Sequence, residues 1–177
     1  MYDRVANPAS TALLRLIAVV LAVATPASAG IKGPMPTDNP RALSIIEAAE
    51  HACAAEDAGD LIVEDGAYTQ YDLDGDEDND FVISFDHIFC QHNFTRWAGT
   101  GGTPKVFILD GESTLEVWGG TWQTVDVSPF PDEPSVTQRL ILIPVHGITC
   151  DGSGAQPCWR VIAPFEGKFS TMPVGYK

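Results

Sequence analysis

Six acidic residues lie within nine consecutive positions, in the segment Asp72-Leu73-Asp74-Gly75-Asp76-Glu77-Asp78-Asn79-Asp80. Aspartates occupy its first, third, fifth, seventh and ninth positions, and it contains no lysine or arginine. Neighbouring carboxylates repel one another, so such a cluster is costly to hold together without a cation. Calcium accepts six to eight oxygen ligands in irregular geometry, whereas magnesium demands a stricter octahedron and is the second choice. The segment therefore predicts a calcium-binding loop.

The segment resembles the Asp-x-Asp-Gly-Asp-Gly-x-x-Asp calcium loop of FG-GAP and integrin-like repeats, and also the front half of an EF-hand loop. Glu77 stands where a glycine is usual, and Ile83 stands where a complete EF-hand has a bidentate glutamate. The β-like residues 81–85 that follow favour the strand-flanked type of loop. The resemblance implies that the ion takes side-chain oxygens from Asp72, Asp74, Asp76 and Asp80, and the carbonyl oxygen of Asp78.

The chain as a whole resembles a set of small exported alphaproteobacterial proteins of unassigned function. Those proteins carry a helix with a cysteine, then an acidic loop running into a strand, then a late cysteine-rich loop. The matching residues here are Cys53, the acidic segment 72–80, His146-Gly147, Cys150, Ser153-Gly154 and Cys158. The resemblance covers most of the chain after residue 29 and implies no activity.

Residues 1–29 have the pattern of a secretory signal peptide. Arg4 supplies positive charge, an apolar stretch at 11–24 is interrupted by Arg15, and Ala27-Ser28-Ala29 is a small-x-small cleavage site. We expect residues 30–177 to form a single domain that is periplasmic or secreted, with no membrane insertion after cleavage. An uncleaved anchor is the alternative, although the apolar run is short for a membrane span.

Four cysteines in an exported chain predict two disulfides. They are Cys53, Cys90, Cys150 and Cys158. Of the three possible pairings we favour Cys53–Cys90, which ties a helix to a strand, and Cys150–Cys158, which closes a loop rich in turn-forming residues.

A helix is predicted to start at Asn39, which can cap it, and Pro40, which suits the first helical position. Apolar residues then recur at helical spacing as far as Cys53. The rest of the chain has strand patterns, with hairpin turns at Asp65-Gly66, Asp110-Gly111 and Glu166-Gly167, and residues 140–143 as a buried central strand. We predict an α+β fold: one N-terminal helix packed on a mostly antiparallel β-sheet or small sandwich, with two disulfides.

The chain carries a formal net charge of −14. Residues 1–29 contribute a net +1, so the remainder carries −15. A surface this acidic repels phosphate backbones, which argues against nucleic acid as a partner and favours cations or a basic protein.

Two weaker patterns could also carry chemistry. His87, Cys90 and His92 have a spacing that could bind zinc, although Cys90 is wanted for a disulfide. His146, Asp151 and Ser153 could be read as a hydrolytic triad, but they crowd one short segment without a nucleophile-elbow motif.

The sequence thus favours an exported, non-enzymatic calcium-binding protein in which the ion is structural and which binds another envelope or basic protein. The alternative is an envelope hydrolase or an inhibitor-type module with no calcium dependence. A calcium buffer or carrier is a third possibility, which a single loop serves poorly.

Overall fold

The computed structural model describes residues 30–110, 112–128, 137–154, 156 and 158–174. The predicted signal peptide, residues 1–29, lies outside the described residues. In chain order the elements are β1 (Ile31–Lys32), α1 (Pro40–Ala55), β2 (Leu61–Val63), β3 (Tyr68–Tyr71), β4 (Asp80–Ser84), a 3-10 turn (Phe85–His87), β5 (Ile88–Cys90), β6 (Thr103–Leu109), β7 (Ser113–Gly119), β8 (Gln123–Val127), β9 (Gln138–Val145), a second 3-10 turn (Gly147–Cys150), β10 (Cys158–Phe165) and β11 (Lys168–Val174).

Helix α1 forms where the sequence predicts it. The side chain of Asn39 accepts a hydrogen bond from the backbone N–H of Ala42 at 2.9 Å, and Pro40 occupies the first turn. One face of the helix is buried, through Ala42, Ile46, Ala49 and Cys53. The prediction that the helix comes first is wrong, because β1 precedes it and pairs in parallel with β2.

The strands of the described residues form three sheets rather than the single sheet or small sandwich expected from the sequence. A small sheet has the order β1-β2-β5, a middle sheet β3-β4-β6-β7, and a C-terminal sheet β11-β10-β9-β8. All the described pairings except β1 with β2 are antiparallel. The mostly antiparallel, one-helix character of the prediction is confirmed.

The middle sheet is buried on both faces. Ile83 and Ile108 join a core with α1 and the small sheet, whereas Val82 and Phe107 join a second core with β9 and β10. Residues on both faces of β4 and β6 are therefore apolar, as in sheets covered on two sides.

Residues 140–143, predicted to form a buried central strand, lie in β9, which is an inner strand of the C-terminal sheet but is not buried along both faces. Ile141 and Ile143 are fully buried, but Leu140 and Leu142 are only partly covered. The alternation shows that β9 is an inner strand of a sheet with one well-covered face.

The hairpins at Asp110 and Glu166 are confirmed by the β6–β7 and β10–β11 pairings. The hairpin predicted at Asp65-Gly66 is wrong, since β2 pairs with β5 and β3 pairs with β4. The backbone around this turn bonds to a distant segment instead: Glu64 donates to the carbonyl of His87, and Ser84 donates to that of Ala67.

The favoured cysteine pairing is confirmed, with disulfides Cys53–Cys90 and Cys150–Cys158. The first joins α1 to β5, and the second closes the loop before β10. Such cross-links form in oxidising compartments outside the cytoplasm. Among the described residues, no helix has the length and apolar character needed to cross a bilayer.

Candidate metal site

The acidic segment is the loop that connects β3 to β4. The last residue of β3, Tyr71, pairs with the first residue of β4, Asp80, so the two ends of the loop lie side by side. Leu73, inside the loop, is fully buried in the second core. This apolar side chain holds the start of the loop against the body of the protein.

Three of the predicted ligands converge. One carboxylate oxygen from each of Asp72, Asp74 and Asp80 lies within 4.8 Å of the other two. Asp80 is only 2% exposed, and the other two are partly buried. Three carboxylates this close have the oxygen donors and the negative charge that a hard divalent cation prefers.

Asp80 also holds two parts of the chain together. Its Oδ2 accepts a hydrogen bond from the N–H of Leu73 at 2.9 Å, and its Oδ1 accepts one from the N–H of Asp110 at 3.0 Å. Each carboxylate oxygen has a second lone pair, so these bonds leave acceptor capacity for an ion. The loop is thereby attached to the β6–β7 turn.

The outer part of the loop is folded by aspartates that accept backbone hydrogen bonds. Asp72 Oδ1 accepts from the N–H of Gly75 at 2.6 Å, and Asp76 Oδ1 accepts from the N–H of Asp78 at 2.9 Å. The structure does not bring the Asp76 and Asp78 carboxylates into the converging group. Both residues lie on the exposed rim of the loop.

Glu77 makes the turn for which glycine is usual in the resembling loops. Its φ is +76°, in the left-handed region that glycine adopts most easily. The loop therefore turns at the same position as the glycine-containing pattern, with a backbone conformation that is unfavourable for glutamate.

The clustering perturbs proton binding. Partial burial, followed by the charges of Asp76 and Asp80, raises the pKa of Asp74 to about 6. Burial also raises the pKa of Asp80, against the opposing effect of its two backbone hydrogen bonds. Both shifts mean that burial and, to a smaller extent, the neighbouring carboxylates disfavour the ionised form of the loop, a cost that a bound cation would offset.

Asp110 is an acidic neighbour that sequence reasoning missed as a site residue. Its charge contributes to the raised pKa of both Asp74 and Asp80. The Asp110-Gly111 turn signal was visible in the sequence, but its proximity to the loop depends on the pairing of β4 with β6.

Arg139 of β9 is a second neighbour that the sequence did not reveal. Its Nη1 donates to the carbonyl oxygen of Asp72 at 2.7 Å and lies 3.1 Å from Asp72 Oδ2. Its Nε donates to Asp126 Oδ1 at 2.8 Å. The loop is thus connected to the C-terminal sheet by one guanidinium group.

The weaker patterns do not assemble into sites. Cys90 is in a disulfide, so it offers no thiolate for the zinc pattern with His87 and His92. Within the described residues, neither Asp151 nor Ser153 hydrogen-bonds or ion-pairs with the ring of His146.

No family model matches the chain, and no curated protein or solved structure shows significant similarity to it. What the protein does must be inferred from its own residues.

Proposed function

We propose that the protein is an exported, non-enzymatic calcium-binding protein whose ion stabilises the fold, and that it binds another envelope or basic protein. The observation that carries the proposal is the convergence of the Asp72, Asp74 and Asp80 carboxylates within 4.8 Å. Calcium suits the loop better than magnesium because it accepts oxygen ligands in irregular geometry, whereas magnesium demands a near-ideal octahedron.

A structural role for the ion is supported by what surrounds the carboxylates. Asp72 and Asp74 flank Leu73, which is buried in the second core, and Asp80 is bonded to the β6–β7 turn. An ion held by these groups would join β3, β4 and the β6–β7 turn at one end of the molecule. Because such an ion binds the folded chain and not the unfolded one, it would raise the free energy of unfolding.

Calorimetric titration with calcium tests the ion. Asp74→Ala is expected to weaken calcium binding at least about tenfold, because it removes a converging carboxylate. Asp65→Ala is the matched control, since Asp65 is an exposed aspartate in a different turn. The calcium affinity of this variant should stay within about twofold of the wild-type value. Wild-type protein that takes up no calcium at millimolar concentration would overturn the proposal.

The variant Asp76→Ala distinguishes the ligand set that the resemblance implies from the three carboxylates that converge in the structure. The resemblance assigns Asp76 a ligating carboxylate, whereas the structure places that carboxylate on the rim, bonded to the N–H of Asp78. If the loop keeps this conformation when calcium binds, Asp76→Ala should weaken calcium binding much less than Asp74→Ala. Equal losses would show that the loop rearranges around the ion.

A basic partner is supported by the charge of −15 on residues 30–177. Capture from an envelope extract in calcium, followed by elution with increasing salt, tests this half of the proposal. We expect the captured protein to be basic and to elute as salt screens the charges. An acidic partner, or one insensitive to salt, would contradict it.

A further inference from the structure

A cavity of about 760 Å³, open to solvent, lies at the opposite end of the molecule from the acidic loop. Strand β9 passes from Arg139, which contacts the loop, to Val145, which lines the cavity with His146. Strand β6 likewise starts beside Gly102 at the cavity and ends next to Asp110. Arg139 and Val145 are six positions apart along the strand, which is about 20 Å.

The first wall of the cavity is the tight loop 99–102. Gly99 and Gly102 each donate a hydrogen bond to the other's carbonyl at 3.0 Å. A Cβ on Gly102 would lie 2.0 Å from the carbonyl oxygen of Gly119, so only glycine permits this contact with β7. Gly120 is fixed in turn by donating to the carbonyl of Pro144 at 2.8 Å.

The second wall is formed by His146 and by Gly154, which belongs to the loop that the Cys150–Cys158 disulfide closes. The two residues are so close that a Cβ on Gly154 would lie 2.4 Å from Cε1 of the imidazole ring. The described parts of both walls are thus held by hydrogen bonds, a disulfide and glycine contacts. Because the cavity is already formed, ligand binding costs little free energy for ordering its walls.

His146 is the one ionisable side chain among the described residues that line the cavity. It is partly buried, and no described residue hydrogen-bonds or ion-pairs with its ring. The N–H groups of Gly101 and Gly154 likewise donate to none of the described backbone carbonyls. In a chain with 24 acidic residues, the described lining of this cavity contains none.

These groups define the chemistry of a ligand. Imidazole offers at least one N–H donor in either protonation state, and the amides of Gly101 and Gly154, which bond to none of the described backbone carbonyls, are further donors in the lining. A cation would meet no counter-charge in the lining, and a dianion would meet no lysine, arginine or long-helix N-terminus. Pro144, Val145 and the glycine backbones supply an apolar surface. A distance of about 20 Å exceeds the Debye length of about 8 Å, so the acidic loop repels little at this end.

We propose that this cavity binds a small monocarboxylate with an apolar body, its carboxylate accepting a hydrogen bond from His146. The same chemistry is offered by a free organic acid and by the C-terminal carboxylate of an apolar peptide. The site is separate from the acidic loop and does not depend on calcium.

Calorimetric titration of the wild-type protein tests the proposal with probes matched in chain length. Octanoate should bind saturably, whereas octan-1-ol and octylamine should not. Acetyl-Ala-Leu with a free C-terminus, compared with its C-terminal amide, tests whether the bound carboxylate is a peptide terminus or a free acid. Tighter binding of the free peptide than of octanoate assigns a peptide terminus, and the reverse order assigns a free acid. If neither carboxylate binds, or if the alcohol or the amine binds equally well, the proposal is overturned.

Substitution of the histidine locates the binding. His146→Leu should weaken octanoate binding about tenfold or more, because it removes the hydrogen-bond donor to a charged group and keeps an apolar side chain. His51→Leu, on the exposed face of α1, is the control and should leave binding unchanged. A normal melting curve for His146→Leu shows that it is folded. Unchanged octanoate affinity in folded His146→Leu would overturn the assignment.

Discussion

Glu77 holds a backbone conformation that glycine adopts with less strain. We expect Glu77→Gly to raise the free energy of unfolding by about 0.5–1 kcal/mol in chelator, because relief of the left-handed strain exceeds the added flexibility of glycine in the unfolded chain. Urea denaturation measures the change.

Gly75 in the same loop provides the reverse experiment. Its φ is +88° and a Cβ there would meet nothing within 4 Å, so Gly75→Ala changes backbone strain without a clash. We expect it to lower the free energy of unfolding by about 1 kcal/mol. If both variants destabilised the protein, the Glu77 side chain rather than its backbone would be the important feature.

Lys105 carries a buried charge that depends on one carboxylate. It is 1% exposed, and its Nζ lies 3.0 Å from Asp86 Oδ2 and 2.5 Å from Thr103 Oγ1. Asp86→Asn would remove the counter-charge that the described residues provide for the ammonium group. We expect a loss of about 2 kcal/mol at pH 7, less than for a fully buried pair because the Asp86 side chain is half-exposed.

The loss of stability in Asp86→Asn should depend on pH, and the direction follows from the pKa of Asp86. Partial burial opposes ionisation of Asp86, but hydrogen bonds from Thr103 and Lys105, with the charge of Lys105, outweigh it and lower the pKa. The stabilisation is therefore complete above the unfolded pKa of about 3.9 and disappears as the pH falls through the lower folded value. Urea denaturation at pH 7 and pH 3 should show a smaller Asp86→Asn deficit at pH 3 than at pH 7. An equal deficit at both values would rule out the ion pair as its cause.

At the scale of elements, Arg139 connects the acidic loop to the C-terminal sheet and would compete with a bound ion for Asp72. We expect Arg139→Gln to have opposite effects on two measurements. Without calcium, the melting temperature should fall, because Asp72 and Asp126 lose their shared partner. Calcium affinity should rise severalfold, because one positive charge leaves the site.

The control for Arg139→Gln is Arg41→Gln, which removes the same charge from an exposed position on α1. It should leave both measurements nearly unchanged. A loss of calcium affinity in Arg139→Gln would show instead that Arg139 is needed to position Asp72.

The two disulfides are expected to contribute unequally. Cys53–Cys90 spans 37 residues of sequence and Cys150–Cys158 spans 8. From loop-closure entropy, replacing the first pair with alanine should cost about 4 kcal/mol, and replacing the second about 2.5 kcal/mol. Urea denaturation of the two double variants compares them directly. A larger loss from the shorter loop would mean that its packing around His146 outweighs the entropy of the unfolded chain.

Local signals predicted the elements that depend only on neighbouring residues. Asn39 and Pro40 marked the start of α1, and the turns at Asp110 and Glu166 marked two hairpins. The turn at Asp65-Gly66 carried the same kind of signal, yet its flanking strands pair elsewhere, because Leu61 lies opposite the disulfide-bonded Cys90. Pairing between distant segments is not encoded in a turn motif.

The candidate site was predictable to the same extent. The acidic spacing identified the loop, and the structure brings together Asp72, Asp74 and Asp80. Asp110 and Arg139 are 30 and 67 residues from the groups they contact, so only the folded sheets reveal them. The rim position of Asp76 likewise follows from the hydrogen bonds of the loop rather than from its spacing.

On the scale of the whole molecule, the middle sheet lies between the other parts of the fold. Its two buried faces support α1 on one side and the C-terminal sheet on the other. The acidic loop closes one end of the space between the middle and C-terminal sheets, and the glycine-walled cavity lies at the other end. A change at either end should therefore leave the chemistry of the other intact.

The central claim is that one divalent ion at the Asp72, Asp74 and Asp80 carboxylates stabilises this arrangement. The most direct measurement is urea unfolding of the wild-type protein in chelator and in calcium at a hundredfold excess over its dissociation constant. We expect calcium to raise the free energy of unfolding by about 2.7 kcal/mol, and Asp74→Ala to lose most of that increase. Identical unfolding curves with and without calcium would contradict the claim.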